Sequence, residues 1–146
     1  MNSLRSILIA EDSSADAEMA TDALREARLA NPIVHVEDGV EALDYLLCRG
    51  AFAGRSDGLP VVLLLDIKMP RMDGLEVLQR IRAEEELKRL PVVILSSSRE
   101  ESDLARSWDL GVNAYVVKPV DIDQFFNAVK MVGTFWALIN QAPGVE

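Results

Sequence analysis

The chain has 146 residues, enough for one domain, and 49% of them are hydrophobic, which suffices for a core without covalent staples. Its single cysteine, Cys48, excludes an internal disulfide, and no apolar run approaches the roughly 20 residues a membrane-spanning helix takes. A net charge of −9, with no basic cluster, argues against a nucleic-acid surface, and Glu11 and Asp12 cut the first apolar stretch too short for a secretory leader, so a soluble cytoplasmic protein is expected.

Strand-like and helix-like segments alternate five times along the chain. Ser6–Ala10 is a short apolar run that stops at Glu11-Asp12. From Ser13 to about Leu29 apolar residues recur at helical spacing (Ala17, Ala20, Leu24, Ala27), behind an N-cap and acidic first turn at Ser13 and Asp16. Asn31-Pro32 ends that helix. Ile33–Val36 reads as a second strand and Gly39 to about Arg49 as a second helix. Arg49–Leu59 is rich in glycine and small residues, a surface loop long for a connection. Val61–Leu65 is unbroken apolar sequence, the mark of a central parallel strand buried on both faces, and it stops at Asp66. Gly74–Glu86 is predicted helical, Pro91–Leu95 a strand, Glu100–Asp109 a helix and Ala114–Val117 the fifth strand. Asp121 opens a final helix to about Ile139, so residues 1–140 form the domain and 141–146 a loose tail.

Regular βα alternation implies a parallel sheet with helices on both faces. Ligands of such sheets gather beyond the carboxyl ends of the strands. Those ends carry Glu11-Asp12, Asp66, Ser96-Ser97-Ser98 and Lys118-Pro119. Carboxylates brought together repel one another, and a hard divalent cation such as Mg²⁺ relieves that repulsion. A carboxylate can also attack phosphorus to give an acyl phosphate, while metal, ammonium and hydroxyl groups stabilise the charge on the transferring oxygens.

Over about residues 4–130 the chain resembles the receiver domains of two-component response regulators, through ILIAED, LLLDIKMPRMDG, VVILSSS and AYVVKP in that order. The resemblance implies a flavodoxin-like (βα)5 doubly wound sheet, strand order 2-1-3-4-5, with an extended C-terminal helix. It implies that Asp66 accepts a phosphoryl group from a sensor histidine kinase. Asp12 would ligate Mg²⁺ directly, Glu11 mostly through water, and the backbone carbonyl of Lys68 would be a further ligand beside Asp66. Ser96 and Lys118 would each hold a phosphoryl oxygen, Lys118-Pro119 would be a cis peptide, and Tyr115 would be the switch aromatic. Lys68 and Ser98 would flank the path of an attacking water and tune phosphate lifetime.

The long loop before the third strand, YVVKPVD and the FF…FW helix are similar to single-domain regulators paired with bacterial phytochromes, which are dimeric. That likeness implies a bacteriophytochrome-type kinase partner. In the final helix Ile122, Phe125, Val129, Val132, Trp136 and Ile139 form one apolar stripe, and Ala128, Met131, Phe135 and Leu138 a second beside it. Two stripes exceed one buried face, so a homodimer is expected with Phe135, Trp136, Met131 and Leu138 at the contact. The segment beyond Val117 is too short for a DNA-binding module, so output is expected through protein contacts or a phosphorelay, with no nucleic acid or membrane as partner.

Three rival readings are weaker. A degenerate receiver that only binds proteins would lack some of the required residues, and all are present. An aspartyl-phosphate phosphohydrolase of the haloacid-dehalogenase type needs an acid two residues past its nucleophile, where Lys68 stands, and a cap domain. A flavodoxin-like electron carrier needs a hydroxyl-rich phosphate loop after the first strand. His35 is expected to be a packed or surface residue, Cys48 core filler on a helix face, and Met69 and Met72 packing and turn residues. Glu84–Glu86 reads as a solvated helix end, and Trp108 as either core or contact surface.

Overall fold

Apolar runs become strands, and the polar or glycine residues that interrupt them become the connections. The computed structural model describes residues 5–26, 30–97 and 100–117. Its elements are β1 (Ile7–Ala10), α1 (Ser14–Glu26), β2 (Ile33–Val36), α2 (Gly39–Leu47), β3 (Val62–Leu65), α3 (Gly74–Ala83), β4 (Val92–Ser96), α4 (Glu101–Asp109) and β5 (Ala114–Val117). All strand pairs are parallel and the order is β2-β1-β3-β4-β5, as expected.

Successive side chains of a strand point to opposite faces, and the core divides accordingly. Leu8, Ala10, Leu63, Leu65, Val92 and Ile94 pack with Leu43 and Leu46 of α2 and Val77, Leu78 and Ile81 of α3. Ile7, Ile9, Val62, Leu64, Val93 and Leu95 pack with Ala20, Ala23 and Leu24 of α1. β1, β3 and β4 are buried on both faces, the outcome their uninterrupted apolar sequences call for.

Three helices begin on side-chain caps. The Asp16 N–H donates to Ser13 Oγ (3.2 Å), the Glu41 N–H to Asp38 Oδ1 (2.8 Å) and the Glu76 N–H to Asp73 Oδ1 (2.9 Å). Each satisfies a donor that the first helical turn leaves open.

Four details depart from the sequence reading or settle what it left open. Cys48 is not core filler: it stands just past α2 in the left-handed conformation (φ 55°, ψ 54°), half-buried. Its N–H donates to Tyr45 O and the Arg49 N–H to Asp44 O, the paired bonds that end a helix on a left-handed residue, so α2 stops before Arg49. α3 ends at Ala83, because Glu84 is already extended (φ −92°, ψ 126°), and Glu84–Glu86 are exposed beyond it. Trp108 is 54% exposed and therefore belongs to the surface.

The loop after α2 is packed down rather than free. A single 3-10 turn at Gly50–Phe52 sets Phe52 edge-on to Tyr45, 5.1 Å between ring centroids. The Arg55 guanidinium lies 3.9 Å from the Tyr45 centroid and donates to the carbonyls of Tyr45 and Gly58. Lys118, the Lys118-Pro119 peptide, the helix expected over 121–139 and the tail at 141–146 lie outside the described residues, as does Ser98. Among the described residues no helix is long and apolar enough to cross a membrane.

Candidate functional site

The strand order decides which strand ends become neighbours. β1 and β3 pair in register, with Ala10 opposite Leu65, so the residues after each strand arrive side by side. The Asp66 N–H extends that ladder by donating to Ala10 O (3.0 Å), and the Glu11 N–H extends the other by donating to Val36 O (3.0 Å). One carboxylate oxygen from each of Glu11, Asp12 and Asp66 lies within 4.8 Å of the others. Glu11 and Asp66 are buried, at 4% and 6% exposure, while Asp12 faces solvent.

Buried carboxylates at such spacing repel and are poorly hydrated, so an ion that offers positive charge to oxygen ligands is the natural counterweight. The donor set is all oxygen, which suits hard divalent cations, and the exposed Asp12 leaves a water-facing side for an ion that keeps part of its hydration. The residues present therefore fit a divalent cation.

Ser96 ends β4, the strand next to β3, and is fully buried. It pairs in register with Val117, so the residue after β5 comes to the same edge; that residue, Lys118, lies outside the described part. Tyr115 on β5 is half-buried and packs against the core on the α2–α3 face. The Lys68 ammonium lies 4.0 Å from the Glu100 carboxylate, both exposed, across the loops that follow β3 and β4. Glu11 Oε2 also accepts the Ser13 N–H (3.1 Å). His35 is exposed on the edge strand, as a surface residue, and its Nε2 lies 2.7 Å from the carbonyl oxygen of Glu11.

Sequence reasoning passed over Asp38 and Arg71. Arg71 Nε and Nη2 donate to the two carboxylate oxygens of Asp38, at 2.9 and 3.2 Å. Burial of Asp38 favours its neutral form, but the Arg71 guanidinium and the Glu41 N–H outweigh burial and hold the carboxyl below its ordinary value. Asp38 and Asp73 each stand three residues before a glutamate at the start of an apolar helix, a capping pattern that could have been read. The partnership of Asp38 with a residue 33 positions away has no such local signal.

Comparison with known proteins agrees with this geometry. Residues 7–130 match the model of the response regulator receiver domain. Response regulator Rcp1 of Synechocystis sp. is 34% identical over 130 residues, 89% of this chain and 87% of that protein. The crystal structure of the Mn²⁺-bound form of response regulator Rcp1 superposes with a TM-score of 0.83 at 33% identity, covering 91% of this chain and 94% of that one. The bacteriophytochrome response regulator AtBRR is 53% identical with a TM-score of 0.76, covering 91% and 95%. The phosphorylated cyanobacterial phytochrome response regulator RcpA is 40% identical with a TM-score of 0.82, covering 90% and 93%. The chain belongs to the response regulator receiver domain family.

Proposed function

We propose that the protein accepts a phosphoryl group from a sensor histidine kinase onto Asp66 and signals through contacts that change with phosphorylation. The observation that carries this reading is the meeting of the Glu11, Asp12 and Asp66 carboxylates within 4.8 Å at the edge where β4 delivers Ser96. In the reaction an Asp66 oxygen attacks phosphorus, the P–N bond to the kinase imidazole breaks, and the leaving nitrogen keeps the bonding pair and takes a proton. Asp66 is held for attack by its backbone bond to Ala10. Asp12 and Glu11, with Asp66 and the Lys68 carbonyl, are the residues that would hold Mg²⁺, which supplies positive charge against the phosphoryl oxygens. The Ser96 hydroxyl and the Lys118 ammonium take the remaining oxygens, and Tyr115 responds when Ser96 moves toward the phosphate. Bound phosphate then biases the β4 and β5 edge between two arrangements that partners distinguish.

The kinase is proposed to be of the bacteriophytochrome type, supported by the 53% identity to a bacteriophytochrome response regulator. A homodimer through Phe135, Trp136, Met131 and Leu138 is proposed on the two apolar stripes of the sequence alone.

With Mg²⁺ and acetyl phosphate the protein should gain one alkali-labile phosphoryl group, and Asp66→Asn should gain none. Equal labelling of Asp66→Asn would exclude Asp66 as the acceptor.

A further inference from the structure

The loop from Asp66 to Gly74 is closed upon itself. The Gly74 N–H donates to Ile67 O (2.7 Å), and a β carbon on Gly74 would stand 2.1 Å from the Asp66 carbonyl oxygen. At its outer side the Met72 N–H donates to Pro70 O (2.7 Å), a three-residue turn with Arg71 at its centre. Arg71 has φ 65° and is not a glycine. Three-residue turns with a positive central φ are the rare, strained hand, and a bulky side chain in that region is unfavourable. Strain of this kind persists only where the surroundings over-determine it.

The surroundings here are the start of α2. The Arg71 guanidinium forks onto both oxygens of Asp38, whose Oδ1 is at the same time the N-cap of α2. One residue along, Gly39 is flush against the Met72 carbonyl, with room for no β carbon. A planar fork on a carboxylate fixes orientation as well as distance, which a single ammonium contact does not.

We propose that Arg71 is a positioning residue: its fork on Asp38 holds the loop in its strained shape and so keeps Asp66 in the geometry that binds a divalent cation with Glu11 and Asp12. This rests on the reading of the three carboxylates as a cation site. Removing a positive charge from the loop that follows Asp66 should strengthen cation binding, whereas releasing the loop should weaken it.

The test is calorimetric titration with Mg²⁺ of the wild type, Arg71→Asn and Arg71→Lys, each also melted without metal. Asparagine is among the non-glycine residues most often found at positive φ, but it cannot reach Asp38 with a fork. Arg71→Asn should weaken Mg²⁺ binding about tenfold, the scale on which groups that orient metal ligands act. Arg71→Lys, which keeps the charge but not the fork, should fall between that variant and the wild type. Lower melting temperatures with unchanged or stronger Mg²⁺ binding in both variants would overturn the proposal, leaving Arg71 a purely structural residue. A wild type that binds no Mg²⁺ would overturn the cation site itself, and this inference with it.

Discussion

Gly74, the first residue of α3, lies so close to the backbone of Asp66 that a β carbon would stand 2.1 Å from its carbonyl oxygen. Neither backbone can yield without moving the carboxylate that β3 delivers. Gly74→Ala should therefore cost about 3 kcal/mol in urea unfolding, the scale of forced overpacking. It should also slow phosphoryl uptake, because the displaced atoms belong to Asp66. An unchanged urea midpoint would show that the contact is looser than the structure has it.

Arg82 holds the end of the sheet opposite the carboxylates. Its guanidinium donates to the carbonyls of Leu110 (2.8 Å), Lys88 (3.1 Å), Leu90 (2.8 Å) and Gly111 (2.9 Å). Those bonds tie α3 to the turns before β4 and β5. Burial pushes its pKa down, yet an arginine remains cationic at any physiological pH. Arg82→Met should destabilise by about 2–3 kcal/mol, the scale of hydrogen bonds to a charged group whose partners are then left open. Equilibrium unfolding measures the loss, and Mg²⁺ affinity should be unaffected, since the residue is remote from the cation site.

Asp38 gives stability a dependence on acid. Its carboxyl is held below the ordinary value of 3.8 in the folded chain, so the unfolded chain takes up the proton first as pH falls. Its contribution is then complete above 3.8 and lost as pH drops through the lowered folded value. Asp38→Asn keeps a capping side chain but cannot be ionised. The stability gap between wild type and Asp38→Asn should be widest at neutral pH and shrink in acid. Denaturant titrations across that range that show a constant gap would contradict it.

The proposed dimer can be checked by sedimentation. Wild type should sediment as a dimer at micromolar concentration, and Phe135→Glu should shift it toward monomer by burying a charge in an apolar contact. A wild type that stays monomeric, phosphorylated or not, would remove Phe135, Trp136, Met131 and Leu138 from any self-contact.

Periodicity alone determined the βα order, because burial on two faces requires an unbroken apolar run such as Val61–Leu65 and a one-sided helix requires the spacing of Ala17, Ala20 and Leu24. The acids could be placed at strand ends for the same local reason: Glu11, Asp12 and Asp66 are the residues at which apolar sequence stops. That they meet depended on β1 and β3 pairing in register, which strand order expresses and composition does not. The arginine hub at Arg82 and the Arg71–Asp38 fork were decided only by the tertiary structure. Each depends on partners up to 33 residues apart, and a long cationic side chain looks the same in sequence whether it faces water or ties distant segments together.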